Sequence, residues 1–404
     1  MQMQARVSLL LACSFAVLTP LVSFDAIAAE HQGPWQRHTI DDSSKGADGV
    51  RLADANGDGL MDIVTGWEEA GVVRLYLNPG PEKSKEKWPA VTVGQAKNVE
   101  DAVMVDLDND GAMDVVSSCE GKTKTMYVHW GPKDQAKLLD EDAWVTEPIP
   151  ATVGQQMWMY CLPMDVDRKH GKDLVLGSKG EGATIGWLAS PKNPRDLASW
   201  SYHKIRDAGW IMSIESPGHV HGVIVSDRKG PNRGVYEMPS KNGRWGFIEF
   251  ESGKSEYMFA CLGSEKYSRA VATRDGVIKL FEITVPCRSW QTTTHEVPNP
   301  FGIKHGKAVL FGKIDTDEHS DVVVSFNTQG QKDKPGVAWI KVLPDKEPKD
   351  WPAYDISGTE GKKFDRVELV DLDGDGDLDV LTCEEADNLG VIWYENPYGK
   401  AEKK

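Results

Sequence analysis

The sequence predicts an all-β fold: a seven-bladed β-propeller of four-stranded blades, its ring closed by an N-terminal strand. Two observations predict it. A tryptophan-led segment recurs seven times, and each recurrence carries four strand-like segments with no amphipathic helix pattern of useful length. A third observation, an Asp-rich turn at one fixed place in the unit, predicts where cations bind.

The tryptophan-led segments begin at Trp35, Trp88, Trp144, Trp200, Trp245, Trp290 and Trp351, with gaps of 53, 56, 56, 45, 45 and 61 residues. That spacing is close to the blade length of propellers, roughly 40–50 residues. After each tryptophan comes an apolar stretch such as Ala102-Val103-Met104-Val105, then a polar turn, then a β-branched run such as Asp114-Val115-Val116. A loop then leads to a fourth segment, usually ending near Pro, as in LYLNPG from Leu75 and WYENP from Trp393. Four short segments rich in β-branched and aromatic residues, bounded by Gly, Pro, Asn and Asp, read as four strands. Radial repetition of such sheets protects their edges. The chain begins on a Trp strand and ends after WYENP, so the strand at Trp35 is expected to complete the last blade. A linear solenoid is the alternative, but no atypical capping repeat is visible. The tryptophans, recurring once per unit, are expected to pack between blades.

Residues 1–28 read as a cleaved signal peptide. Arg6 is the positive region, Val7 to Leu18 the apolar core, and Ala26-Ile27-Ala28 the small-x-small cleavage pattern. Leu10-Leu11-Ala12-Cys13 offers a lipoprotein alternative. Residues 29–397 form the propeller and 398–404 a disordered tail. The mature chain is therefore expected to be exported, to the periplasm, the cell surface or the medium, with no transmembrane segment. A formal charge of −16 argues against a nucleic-acid partner, which needs a basic face. Five cysteines follow the leader, irregularly spaced, and no CxxC metal pattern occurs; Cys161 and Cys261 lie in apolar stretches and read as core thiols.

Much of the acidity sits in three copies of D-x-[DN]-x-D-G-x-x-D. They are Asp54, Asn56, Asp58, Gly59 and Asp62; Asp106, Asp108, Asp110, Gly111 and Asp114; and Asp371, Asp373, Asp375, Gly376 and Asp379. Calcium takes six to eight oxygens on a flexible loop, here side chains at positions 1, 3, 5 and 9. The backbone carbonyl at position 7 comes from Leu60, Ala112 and Asp377. An EF-hand would need a helix and a Glu at position 12, but those positions are Thr65, Ser117 and Thr382. The turns therefore join strands, and Ca2+ is the expected cofactor. Two further copies are eroded. Lys169 replaces a ligand after Asp165 and Asp167, and the run from Asp315 and Asp317 to Asp321 is two residues short.

Strand, DxDxDGxxD, strand, then G-V-x-W-x-x-N-P resembles the FG-GAP/VCBS repeat family, whose blades are similar to those of the integrin α-subunit propeller. The pattern is fullest from Asp371 to Pro397 and nearly as full from Asp54 to Pro79. The resemblance implies a propeller over almost the whole mature chain and calcium in the three complete turns. It implies no particular activity.

Loops between the second and third strands of each blade, and loops leading into each first strand, are expected to share one face around the central channel. They bring Trp67, Glu69, Glu120, Lys179, Trp210, Arg228, Lys229 and Glu384 as candidate ligand-binding residues. Trp158, Tyr257, His305, Asn327 and Lys363 belong to the same loops. Aromatic platforms beside charges suit a sugar, especially an acidic one held by Arg228 and Lys179. The expected function is a calcium-binding interaction or adhesion module, its partner a glycan or another extracellular or periplasmic protein. The alternatives are a calcium-dependent carbohydrate-active enzyme, such as a polysaccharide lyase, and a purely structural role. No catalytic residue is assigned: His305, His219 and His221 are candidate bases without a partner acid or nucleophile. No nucleophile elbow, HExxH, P-loop or dinucleotide fingerprint occurs.

Overall fold

The computed structural model describes residues 33–398, apart from 217–221, 238–243, 251–255, 264–267, 274–275, 285–290, 298 and 300. The expected leader, His219, His221, Cys287 and Trp290 lie outside the described residues. So does the expected tail except Tyr398, which packs edge-on against Trp339 with ring centroids 5.8 Å apart.

The described residues form seven four-stranded antiparallel sheets and no α-helix. Blade 1 comprises Ala47–Ala53, Asp62–Trp67, Val72–Tyr76 and Ala90–Gln95. Blade 2 comprises Val99–Val105, Asp114–Cys119, Thr125–Trp130 and Val145–Pro148. Blade 3 comprises Met157–Met164, Asp173–Lys179, Thr184–Ala189 and Ser201–Asp207. Blade 4 comprises Ile211–Glu215, Gly222–Asp227, Gly234–Glu237 and Gly246–Glu249. Blade 5 comprises Tyr257–Leu262, Ser268–Thr273, Ile278–Thr284 and Gln291–Val297. Blade 6 comprises Gly306–Gly312, Asp321–Phe326, Val337–Ile340 and Ala353–Asp355. Blade 7 comprises Phe364–Val370, Asp379–Glu384, Gly390–Glu395 and the N-terminal strand Gln36–Asp41.

The N-terminal strand pairs antiparallel with Gly390–Glu395, Gln36 opposite Glu395 and Thr39 opposite Ile392. First strands of successive blades contact one another in order, and the first strand of blade 7 contacts that of blade 1. Apolar packing explains why the ring shuts. Ile40, Leu381, Val391 and Trp393 of blade 7 share one core cluster with Val50, Ile63, Tyr76 and Trp88 of blade 1. The second strands, flanked by sheet on both sides, are buried along their length: DIVTGW and DVVSSC have no exposed residue. Their β-branched runs suit that double burial.

Four leading tryptophans, Trp35, Trp88, Trp144 and Trp200, are at most 8% exposed. Trp144 of blade 2 packs with Leu75 and Val91 of blade 1, and Trp200 of blade 3 with Val116 and Val128 of blade 2. Their indole N–H groups donate to carbonyls of the preceding loop, Trp88 to Ser84, Trp144 to Leu138 and Trp200 to Pro194, at 2.9–3.0 Å. These three are thus inter-blade plugs with their polar atoms satisfied. Cys119, Cys161 and Cys383 are free, buried thiols, and Cys261 is buried.

Antiparallel order sorts the loops. Turns joining first to second strands lie at one end of the ring, with those joining third to fourth. Loops joining second to third strands lie at the other end, with those leading into each first strand. The Asp-rich turns and the channel-mouth loops are therefore on opposite faces.

Candidate functional site: an axial pocket and a ring of Asp-rich turns

At the channel mouth a cavity of about 370 Å³ is lined by residues of all seven blades. Blade 1 supplies Asp48 and Glu68, blade 2 Glu100 and Glu120, and blade 3 Met159, Tyr160 and Lys179. Blade 4 supplies Trp210, Met212 and Arg228; blade 5 Met258; blade 6 His305, Lys307 and Asn327; blade 7 Lys363 and Asp365. Its size falls in the range of small-molecule sites, about 300–1,000 Å³.

The cations are held by carboxylates. The Lys179 ammonium lies 3.0 Å from Glu100 and also contacts Glu120. Arg228 pairs with Glu256 at 3.3 Å. Lys307 contacts Asp365, and Lys363 contacts Glu385 with Asp365 at 3.9 Å. The Trp210 ring carries three cations on its faces: Arg228 at 4.6 Å, Lys229 at 4.7 Å and Lys179 at 4.8 Å. A ring so covered is not an open stacking platform for a sugar.

Below the cavity, a buried ion-pair network crosses the channel axis. Arg51 of blade 1 makes a two-pronged pair with Asp101 of blade 2 at 2.9 and 3.0 Å. Arg366 of blade 7 grips both oxygens of Glu215 of blade 4, at 2.5 and 3.1 Å, and reaches Glu368 at 2.7 Å. Arg51 also lies 3.6 Å from Glu215. Blade 4 stands opposite blades 7 and 1, so these pairs span the ring and give the pocket a charged floor. Burial disfavours the Glu215 carboxylate, yet Arg366 and Arg51 overcome it and hold its pKa below the usual range.

Two candidate ligand residues belong elsewhere. Trp67 is fully buried at the seam between blades 7 and 1. Its indole donates to the Tyr76 hydroxyl at 2.9 Å, which donates to Asp41. Glu384 is fully buried and accepts backbone N–H groups of Lys362, Lys363, Ala386, Asp387 and Leu389 at 3.0–3.1 Å. It folds the loop on to the blade and has no free face for a ligand. Glu69 and Lys229 are exposed and lie outside the cavity lining. Glu120, Lys179, Trp210 and Arg228 do come together in it, with His305, Asn327 and Lys363. Sequence reasoning missed Asp48, Glu100, Lys307 and Asp365. The signal was present as charged residues inside first strands, the segments nearest the axis.

The Asp-rich turns share one architecture. The Gly at position 6 has φ of 88°, 90° and 95° at Gly59, Gly111 and Gly376, a left-handed region that favours glycine. The position-1 carboxylate accepts amides across the turn, as Asp54 does from Gly57 and Gly59, and Asp371 from Gly374 and Gly376. Leu60, Ala112 and Asp377 donate their amides to Asp58, Asp110 and Asp375. The last Asp opens the second strand and staples it. Asp62, Asp114, Asp173 and Asp379 each accept the amide of turn residue 2 through Oδ2 and an amide just past the third strand through Oδ1, at 2.7–3.1 Å. Burial raises the carboxyls of Asp62 to about 6 and of Asp114 and Asp379 to about 7.

The copies differ in what faces their acids. Oxygens of Asp106, Asp108 and Asp114 converge within 4.8 Å of one another, as do those of Asp371, Asp373 and Asp379. So do those of Asp165, Asp167 and Asp173, in a turn that sequence set aside. Asp54, Asp58 and Asp62 form no such group, and the Asn56 amide donates to Asp58 at 2.9 Å. In blade 2, Arg195 pairs with Asp108 and, at 3.3 Å, with Asp110, which Lys133 also approaches to 3.3 Å. A resident guanidinium there competes with a metal ion. In the eroded turns a lysine neutralises the acids: Lys169 lies 2.7 Å from Asp167, and Lys341 contacts Asp315 and lies 2.9 Å from Asp317.

The blade 7 turn fits a cation best. Lys85 lies 3.2 Å from Asp373 Oδ2, but Asp373 Oδ1 is buried without a hydrogen-bond partner among the described residues. Burial and the charges of Asp375 and Asp379 push the Asp377 carboxyl up to about 8. Asp373, with one oxygen unpartnered, converges with Asp371 and Asp379, a donor set that a divalent ion satisfies.

Comparison with known proteins agrees with this architecture. Residues 54–117, from the first Asp-rich turn into the second strand of blade 2, match the model of the FG-GAP-like repeat. No curated protein matches the sequence. The crystal structure of BBS1N in complex with ARL6DN, soaked with mercury, aligns with a TM-score of 0.51 and 12% identity, covering 89% of this chain and 96% of that one. At that identity the likeness concerns the fold alone. The chain is a β-propeller. More narrowly, it is a propeller in which residues 54–117 are similar to the FG-GAP-like repeat. No helix among the described residues is long and apolar enough to cross a membrane.

Proposed function

We propose that this protein is an exported, calcium-binding propeller that acts as an interaction module and receives its ligand in the axial pocket. The carrying observation is the cavity to which every blade contributes a charged, polar or methionine side chain. A channel serving only as a structural axis would be filled by apolar side chains, without the desolvation cost of so many charges. Export rests on the leader pattern of residues 1–28. Calcium is assigned first to the blade 7 turn, where Asp371, Asp373, Asp375 and Asp379 supply carboxylates and Asp377 its carbonyl. The turns of blades 1 and 2 are weaker candidates, because Asn56 and Arg195 already engage their acids.

The ion's task is structural. The Pro81–Lys85 segment of blade 1 lies against the blade 7 turn, with Lys85 bridging Asp373 and Glu395. Calcium there would brace the seam that the N-terminal strand shuts. At ten times its dissociation constant one site adds about 1.4 kcal/mol. Chelation is therefore expected to lower the melting temperature, and Asp371→Asn to remove most of that response. An unchanged melt on adding chelator would refute the assignment.

Ligand binding is tested on an array of neutral, acidic and amino glycans. Arg228→Ala is expected to weaken a retained glycan at least tenfold, because it takes away one charged wall of the pocket. Retention unaffected by Arg228→Ala would place the interface elsewhere.

A further inference from the structure

We infer that the axial pocket selects ligands bearing a protonated primary amine, bound at the blade 1 carboxylates Asp48 and Glu68. The inference rests on reading the pocket as the ligand site. The pocket's lysines and Arg228 contact other carboxylates, whereas these two form no direct ion pair, and the two acid groups they belong to set six carboxyls against Lys179, Lys307 and Lys363. Asp48 is only 6% exposed and lines the cavity, yet takes no hydrogen bond or ion pair from any described residue. Glu68 likewise has no side-chain partner among the described residues, and its oxygens converge with those of Glu100 and Glu120 within 4.8 Å. Asp48 faces a second group, Asp365 and Glu385, at the same separation. A buried carboxylate without a partner is costly, and an incoming cation removes that cost.

Two features favour an organic cation over a metal ion. The cavity of about 370 Å³ is far larger than one ion needs. Met159, Met212, Met258 and Tyr160, each at most 5% exposed, line it and suit methylene groups while offering no hard carboxylate ligand.

The test is calorimetric titration of the calcium-loaded protein with 1,5-diaminopentane, glucosamine, N-acetylglucosamine and glucuronate. Binding of either amine, at least tenfold tighter than its uncharged analogue N-acetylglucosamine, is expected. Asp48→Asn and Glu68→Gln should each weaken it tenfold or more. Tighter diaminopentane would identify a free amine as the natural class, and tighter glucosamine an amino sugar. Asp48→Asn is expected to melt at or above the parent temperature, because it removes an unpaired buried charge; a much lower melt would show the carboxylate to be structurally engaged and overturn the inference. Tighter glucuronate, lost in Arg228→Ala, would overturn the amine preference and leave the pocket reading intact. Calcium heat lost in Asp48→Asn without amine heat would replace the amine with a metal. No binding of any probe, together with no glycan retention on the array, would overturn both.

Discussion

Glu215→Ala is expected to lower the free energy of unfolding by about 3–5 kcal/mol, the cost of leaving buried charge uncompensated. The Glu215 carboxylate neutralises Arg366 through two hydrogen bonds and faces Arg51 at 3.6 Å. Both arginines are less than 10% exposed, so neither recovers water when its partner is removed. Asp101 still holds Arg51, whereas Arg366 keeps only Glu368, so the larger share of the loss falls on blade 7. Urea unfolding followed by tryptophan fluorescence measures it; a loss below about 1 kcal/mol would mean that water already fills the channel floor. The sign with pH follows from the depressed Glu215 pKa. Its stabilisation is complete above the unfolded value, near 4.5, and is lost as pH falls through the lower folded value. The parent should therefore weaken on acidification through this group, and Glu215→Ala should lose that component.

Glu384→Ala is expected to cost roughly 3 kcal/mol or more. Five backbone amides converge on this one buried carboxylate, and hydrogen bonds to a charged group contribute about 1.5–3 kcal/mol each before neighbours relax. The amides of Lys362 and Lys363 lie just ahead of the first strand of blade 7, and those of Ala386, Asp387 and Leu389 in the loop after Glu384. Removing the carboxylate frees both segments together. Faster amide exchange confined to 360–390 would mark the loss. A ligand-binding defect without destabilisation would instead restore Glu384 to the functional face. Glu384→Gln, keeping one acceptor oxygen, should recover part of the stability.

The reading of Glu384 as a ligand residue shows where sequence legibility ends. A Glu in a loop between two strands looks the same whether it meets solvent or five amides. Trp67 raised the same problem, since a tryptophan at a strand end serves equally as a platform or as a seam plug. Asp48, Lys307 and Asp365 were missed for the opposite reason. Their strands were read for apolar content, and charges inside them marked the axis. The eroded turns were legible in part: Lys169 does pair with Asp167, while Arg195, distant in sequence from Asp108, left no local trace.

Local pattern alone determined the strands, their grouping in fours and the Asp-rich turns, because alternation, β-branching and glycine's left-handed freedom act between near neighbours. It also determined that the N-terminal strand completes the last sheet, since strand count leaves one place open. Only the tertiary structure decided which charges meet. Closing seven blades brings side chains from positions as distant as Arg51, Glu215 and Arg366 on to one axis, where burial makes each unpaired charge costly. That convergence made the channel a polar pocket over an ion-paired floor. It also left Asp48 and Glu68 without the direct ion pair that every other acid in the pocket's charge clusters has.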